Sequence, residues 1–115
     1  MTPTPLQFPG PHLIVALLTP FTADGDIDCA SLRRLVAHLQ AGGVNEFFVV
    51  GSTGEAPLLD ESDRLTIIET VRAAAPTGTI YAGVSGTGHR HAIRNCRAAA
   101  QAGANVAVVM SPFFV

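Results

Sequence analysis

A short loop with two hydroxyl side chains is the part of this sequence best suited to chemistry. It reads Gly51-Ser52-Thr53-Gly54-Glu55 and follows the apolar run 47–50. The two glycines let the backbone turn sharply, so that N–H groups and hydroxyls can converge on a small anion. An ordinary strand-to-helix turn uses the same residue types. The spacing alone therefore leaves an anion site and a plain turn both open.

Other residues that could do chemistry favour structural roles. His89 and His91 stand two apart on a predicted helix and point in different directions, which favours a surface helix start over a metal pair. Glu55 directly follows a tight glycine turn, where a carboxylate more often braces the loop than acts as a general base. The glycines of segment 83–88 resemble a phosphate loop, but His91 stands where G-x-G-x-x-G requires its third glycine.

Composition limits the class of protein. The length suits one domain or less, nearly half of the residues are apolar, and the net charge is −2. No basic cluster is present, so a nucleic-acid surface is not expected. Cys29 and Cys96 fit no Cys-x-x-Cys pattern and are predicted to be small core residues on helices. No arginine or lysine precedes Arg33, and the apolar run 13–18 is too short to span a bilayer. A cytoplasmic protein without a membrane anchor is therefore predicted.

The loops are positioned by strands that alternate with helices. Residues 1–12 hold four prolines and should form an extended arm. Continuous apolar runs are typical of strands covered on both faces of a parallel sheet. The predicted strands are 13–18, 46–50, 79–84 and 105–110.

Three predicted helices connect these strands, each with an apolar stripe at helical spacing. The first is capped by Asp28 and closed by Gly42-Gly43, and the second begins after Asp60. The stripes are Leu32, Leu35, Val36 and Leu39 in the first, Leu65, Ile68 and Val71 in the second, and Ile93, Cys96, Ala99 and Ala100 in the third.

This alternation predicts a parallel sheet with right-handed crossovers. Two architectures fit: an open doubly wound sheet of about four strands, or half of an eight-stranded barrel that needs about 250 residues. In both, functional loops follow the carboxyl ends of the strands. The loop with Ser52 and Thr53 lies there, as do segments 86–88 and 112–114.

Several segments resemble the opening of the dihydrodipicolinate synthase / N-acetylneuraminate lyase family. They are 13–21, 24–25, 51–55, the stretch from Leu65 onward, 82–84, 102–104 and 111–114, so the resemblance spans about residues 12–115. It implies an α/β fold, the N-terminal half (about four β/α units) of a TIM (β/α)8 barrel. Residues 1–12 would be the proline-rich arm, and 13–115 the first four strands and three helices, truncated after strand four.

The resemblance also implies class I aldolase chemistry. A lysine amine condenses with the ketone of pyruvate or a related 2-oxo acid, and the iminium withdraws electrons while a carbon–carbon bond forms or breaks. No metal or organic cofactor is needed, and the parent enzyme would be a homodimer or homotetramer. Ser52 and Thr53 match the pair that grips the substrate carboxylate, and Ser52 also matches the hydroxyl of a proton relay. Ala16 matches a pocket-lining position, and Phe114 aligns with a relay tyrosine at the dimer interface.

Two departures from the family pattern change these expectations. Phe113 and Phe114 lack the hydroxyl of that tyrosine, and phenylalanine cannot transfer a proton. The missing hydroxyl weakens the assignment to dihydrodipicolinate synthase in particular and leaves lyases or dehydratases of other 2-oxo acids open. Ser52, in place of a threonine, leans slightly toward N-acetylneuraminate lyase. The family's lysine comes from strand six, beyond residue 115, and this sequence has seven arginines and no lysine.

The expectation is therefore a fragment of a Schiff-base lyase that is inactive alone. The alternative is a non-catalytic half-barrel module that pairs with itself or with a partner half and binds a small carboxylate. A third hypothesis, an independent nucleotide-binding domain, predicts saturable nucleotide binding, which is not expected.

Overall fold

The computed structural model describes residues 9–111, which form a four-stranded parallel sheet with three helices packed on one face. Most of the predicted arm and the aromatic pair at 113–114 lie outside the described residues. In chain order the elements are β1 (Val15–Ala16), α1 (Cys29–Ala41), β2 (Glu46–Val49), a 3₁₀ turn (Ala56–Leu58), α2 (Glu61–Ala74), β3 (Thr79–Gly83), α3 (His89–Ala102) and β4 (Val106–Val108).

Helix α1 begins and ends where its capping residues predict. The Asp28 carboxylate accepts hydrogen bonds from the Ser31 backbone N–H at 3.0 Å and from the Ser31 hydroxyl at 2.7 Å. These bonds satisfy donors that the first turn of a helix leaves unpaired. Leu32 and Val36 are fully buried, and Gly42 follows the last helical residue. The predicted cap, stripe and stop of this helix are confirmed.

Helix α2 is also capped at its start by acidic residues. The Asp63 carboxylate accepts a hydrogen bond from the Asp60 backbone N–H at 3.1 Å, and negative charge suits the positive end of the helix dipole. Ile68 and Val71 of the predicted stripe are buried, while Leu65 is half-buried. The predicted inward face of α2 is thus confirmed.

Arg72 joins the end of α2 to the turns that follow α2 and α3. Its guanidinium donates to the carbonyls of Ala75 at 3.0 Å, Gly78 at 2.9 Å and Gly103 at 2.9 Å, and to the Asn105 side-chain oxygen. A planar guanidinium suits this role because its donors point in fixed directions. This single side chain therefore satisfies carbonyls from two chain turns.

The strands pair in the order β1-β2-β3-β4, all parallel. The order follows the chain without a reversal, whereas a doubly wound sheet reverses its order at a switch point. The helices on one side and the unbroken order are those of one half of a (β/α)8 barrel. Of the two predicted architectures, the half-barrel is therefore confirmed.

The core lies between the sheet and the helices. Phe47 and Val49 of β2 and Ile80 and Ala82 of β3 are almost completely buried against the helix stripes. The opposite face of the sheet carries no second layer within residues 9–111, and Phe48 is only half-buried there.

The first and last strands are shorter than predicted. Pairing in β1 covers only Val15–Ala16, and Leu13 and Leu18 are 68% and 62% exposed. Leu17, 3% exposed, does join the core. The expectation of a run buried on both faces was wrong because one face of the described sheet is uncovered.

The buried face of α3 differs from the predicted one. Ala99 is buried, but Ile93, Cys96 and Ala100 are exposed. Asn95 instead turns inward and donates to the Val84 carbonyl at 3.2 Å. The prediction from the apolar pattern was wrong because this helix packs through a small residue, Ala99, and an amide, Asn95.

The two cysteines do lie on helices. Cys29 is half-buried and Cys96 is exposed, so the prediction that both are core residues was wrong. No helix within residues 9–111 is long and apolar enough to cross a membrane.

Candidate functional site

The loop after β2 is held in a strained conformation. Val50 and Glu55 have φ angles of +58° and +60°, in the left-handed region that residues other than glycine rarely adopt. The turn between them is closed by hydrogen bonds from the Glu55 N–H to the Ser52 carbonyl at 3.0 Å and from the Ala56 N–H to the Gly51 carbonyl at 3.1 Å. Strain of this kind persists only where the surroundings fix it, and it concentrates at functional sites.

Two side chains from other elements fix this loop. The Thr19 hydroxyl, after β1, donates to the Gly54 carbonyl at 2.6 Å. The Arg64 guanidinium, from α2, donates to the Ala56 carbonyl at 3.2 Å. Sequence reasoning missed both contacts, because residues far apart along the chain gave no local signal for them.

The tip of the loop presents hydrogen-bond donors without protein partners. Within residues 9–111, no acceptor pairs with the backbone N–H or the hydroxyl of Ser52 or Thr53. Both residues are exposed. Adjacent backbone N–H groups in a tight turn form an anion-binding concavity, and hydroxyls add further donors. A carboxylate is thus the kind of ligand this tip can bind.

A cleft of about 560 Å³ opens beside the loop at the carboxyl ends of β2, β3 and β4. Apolar side chains form one part of its wall, including Phe48, Val50, Val108 and Met110. Ser52, Ser85, Thr87, Arg64 and His91 supply the polar part. Small organic ligands bind in clefts with this mixture of apolar walls and a few polar groups.

The predicted substrate-binding residues occupy different places around this cleft. Ser52 lines it, whereas Thr53 is its neighbour in the loop and is not among the lining residues. Ala16 is exposed on β1, and its register partner is Phe48 of the cleft wall. Phe114, predicted at an interface, lies outside the described residues. Ser52 is therefore the predicted site residue that contacts the cleft.

The loop after β3 forms the other side of the cleft. The His91 ring packs against Gly86, where an added Cβ would lie 2.8 Å from the ring, and its Nε2 lies 3.8 Å from the Glu61 carboxylate. The Ser85 hydroxyl accepts a hydrogen bond from the Met110 N–H at 2.7 Å. The helix start predicted for His91 is confirmed, since it is the third residue of α3 and stays partly exposed, but its place beside the cleft was not predicted.

Glu55 does not brace the loop as predicted. Its carboxylate accepts no hydrogen bond from residues 9–111, and it is exposed. In the same part of the chain, no three His, Cys, Asp or Glu side chains converge as a metal site would require.

Comparison with known proteins identifies the family to which this chain belongs. Residues 10–115 match the model of the dihydrodipicolinate synthetase family. The chain is 36% identical, over 99% of its length, to 4-hydroxy-tetrahydrodipicolinate synthase from Synechococcus sp. (strain WH7803). It spans 37% of that protein, so it corresponds to about a third of the length of its relatives.

Solved structures agree with this match. Dihydrodipicolinate synthase from Aquifex aeolicus superposes with a TM-score of 0.83 at 31% identity, covering 88% of this chain and 34% of that one. YagE, a prophage protein of the dihydrodipicolinic acid synthase family from E. coli K12, superposes with a TM-score of 0.84 at 31% identity and was solved in complex with pyruvate. That match covers 90% of this chain and 35% of YagE. Sequence and fold together make this chain a member of the dihydrodipicolinate synthetase family, corresponding to the N-terminal portion of its relatives.

Proposed function

We propose that this sequence belongs to a Schiff-base-forming lyase or aldolase that acts on pyruvate or a related 2-oxo acid. Residues 9–111 would supply its carboxylate-binding loop. The observation that carries the proposal is the set of unpaired donors at Ser52 and Thr53, at the edge of a cleft past the strand ends. The pyruvate complex of YagE supports the substrate class.

The geometry suggests how a 2-oxo acid would lie. Its carboxylate would accept hydrogen bonds from the Ser52 and Thr53 N–H groups and hydroxyls. Its ketone and methyl carbon would then extend along the cleft toward Phe48, with Ala16 on the neighbouring strand. A ketone held in this way is oriented for attack by an amine, which raises the rate by fixing the reacting geometry.

The amine itself must come from a lysine. Condensation of a lysine amine with the ketone releases water and leaves an iminium that withdraws electrons from the bond being broken or formed. The Ser52 hydroxyl would carry protons to and from the reacting atoms as the relay member. By the family resemblance, Phe114 would take the position of the relay tyrosine, and it has no hydroxyl to add to that relay.

This sequence has no lysine, and arginine stays protonated and does not serve as an amine nucleophile. The 115 residues alone would therefore bind a 2-oxo acid without forming a Schiff base on a side chain. Since the relatives are almost three times as long, the lysine would come from a longer parent polypeptide. In that parent, residues 13–115 would form the first four strands of the barrel after a proline-rich arm at 1–12.

The parent would work without a metal or organic cofactor, because lysine, hydroxyls and backbone N–H groups suffice for this chemistry. We place it in the cytoplasm, as a homodimer or homotetramer. Small 2-oxo acids would be its ligands, and nucleic acid and membranes would not.

Borohydride trapping tests the proposal. Borohydride reduces an iminium to a stable amine, so the parent polypeptide incubated with pyruvate should gain one reduced pyruvate per chain in its intact mass. The 115-residue chain should gain none on a side chain, since the N-terminus is its one primary amine. Ser52→Ala should weaken trapping in the parent, whereas Ser62→Ala, an exposed serine on α2, should not. A parent that binds no pyruvate, or one that is trapped only at its N-terminal amine, would contradict the proposal.

A second candidate is the non-catalytic half-barrel module that binds a small carboxylate. It is favoured by exposed apolar side chains beside the outer strands: Leu13 and Leu18 flank β1, and Val109 and Met110 follow β4. Such a module would exist at the 115-residue length in its own cells as a discrete dimer. The intact mass of the native protein and its light-scattering mass separate this candidate from the parent lyase.

A further inference from the structure

We propose that Thr19 is a positioning residue for the donors at Ser52 and Thr53. The inference rests on the proposed function, since it concerns the loop that would bind the carboxylate. Thr19 follows β1 in the chain and lies thirty-five positions before Gly54, the residue it holds.

Thr19 is unusual in its burial. Apart from the Tyr81 phenol, it is the one buried side chain with a polar group among residues 9–111, with 6% of its surface exposed. Its hydroxyl donates to the Gly54 carbonyl at 2.6 Å. A buried hydroxyl is costly unless it is hydrogen-bonded, so this contact fixes how the side chain and the carbonyl face each other.

Gly54 sits in a tight notch, where an added side chain would crowd its neighbours. A Cβ at this position would lie 3.2 Å from both the Leu17 carbonyl oxygen and the Thr19 hydroxyl, and 3.4 Å from the Val50 backbone nitrogen. The loop is therefore pressed against the end of β1. Because the Leu17 N–H also bonds to the Phe48 carbonyl at 2.9 Å, β1, β2 and the loop form one unit.

The hydrogen bond from Thr19 sets the peptide plane between Gly54 and Glu55. This plane precedes the left-handed conformation of Glu55, at φ +60°. The Glu55 N–H in turn bonds to the Ser52 carbonyl at 3.0 Å. An anchored Gly54 carbonyl thus fixes the turn whose tip carries the free N–H groups of Ser52 and Thr53.

A merely structural Thr19 and a positioning Thr19 predict different results. If the hydroxyl only stabilises the fold, its loss lowers stability and leaves pyruvate affinity unchanged in the folded protein. If the hydroxyl orients the loop, its loss lets the Gly54 carbonyl move and weakens pyruvate binding, because donors that are free to move no longer converge on the carboxylate.

The test compares Thr19→Val, which keeps the shape and removes the hydroxyl, with Thr19→Ser, which keeps the hydroxyl. Both are made in the parent polypeptide, with pyruvate as the probe in equilibrium titrations and thermal unfolding measured in parallel. We expect Thr19→Val to raise the Kd for pyruvate about tenfold and Thr19→Ser to stay within about twofold, as the loss and retention of one hydrogen bond predict.

Thr66→Val is the matched control. The Thr66 hydroxyl donates to the Ser62 carbonyl at 2.9 Å within α2, so this variant also removes one bond from a side chain to the backbone. Its Kd for pyruvate should equal that of the wild type. If Thr19→Val does not fold, Thr19→Ser is compared with Thr19→Ala instead, and the tenfold separation is expected between those two.

The positioning role would be overturned if the wild type binds pyruvate and the folded variant without the hydroxyl binds it with the same Kd. A wild type that binds no pyruvate is a different result: it refutes the proposed function, and the role of Thr19 falls with it.

Discussion

The backbone carbonyl of Val50 lies directly against the Cα atom of Gly83. A Cβ on Gly83 would fall 2.0 Å from the Val50 oxygen, far closer than a carbon and an oxygen that are not bonded can approach. The left-handed conformation of Val50 accompanies this approach, at the point where the chain leaves β2 for the loop. Gly83 therefore provides the space in which the strained end of β2 lies.

Gly83→Ala should be strongly destabilising, because the clash is with backbone that cannot rotate away. We expect a loss of about 3 kcal/mol in the free energy of unfolding, at the upper end of overpacking costs. Urea denaturation followed by circular dichroism measures it. Gly88→Ala is the control, since a Cβ there meets nothing within 4 Å. An equal effect of both variants would show that the Val50 carbonyl is not the cause.

Tyr81 should titrate above its ordinary value. Burial raises the pKa of this phenol, and its hydrogen bond to Glu46, 3.1 Å long, and the Glu46 charge raise it further. Because the folded pKa exceeds the unfolded one, the phenol contributes stability that is fully present below pH 10.0 and is lost as the pH rises through the folded pKa. Tyr81→Phe should lack this alkaline loss.

The titration can be followed without interference, because Tyr81 is the one tyrosine of this sequence and there is no tryptophan. Tyrosinate absorbance of the 115-residue chain should show a midpoint above pH 10.0. Glu46→Gln should lower the midpoint by removing the carboxylate charge. A midpoint at or below the ordinary value in the folded chain would refute this account of the contact.

Arg72→Ala should destabilise the fold by about 3 kcal/mol, because several carbonyls would lose a charged donor. Arg72→Lys should recover only part of this loss, since an ammonium cannot reproduce the planar fork. Arg97→Ala, an exposed arginine on α3, should change stability by less than about 0.5 kcal/mol. Thermal unfolding of the three variants compares them. A fully stable Arg72→Lys variant would show that only the charge matters.

The parts of the fold that depend on local chemistry were predictable from the sequence. Asp28 caps α1 because a short carboxylate reaches the first-turn N–H groups, and that preference is visible in the chain. The alternation of apolar runs and helical stripes predicted the parallel sheet. The family resemblance, carried mainly by the Ser52 loop, selected the barrel from two architectures that the pattern could not separate.

The parts that depend on contacts between distant residues were not predictable. Nothing near Thr19 indicates that its hydroxyl bonds to Gly54, and a β-branched Val50 argues against the left-handed backbone it adopts. The predicted buried face of α3 was wrong for a related reason. Asn95 is half-buried and donates to carbonyls of the segment that follows β3, which an apolar periodicity cannot show.

The most direct test of the central claim is a crystal structure of the parent polypeptide with pyruvate bound. We expect the carboxylate within hydrogen-bond distance of the Ser52 and Thr53 N–H groups, and the former ketone carbon joined to a lysine from beyond residue 115. Ser52→Ala should raise the Kd for pyruvate about tenfold, as the loss of one hydrogen bond predicts. A carboxylate bound away from this loop, or no pyruvate in the cleft at saturating concentration, would contradict the account.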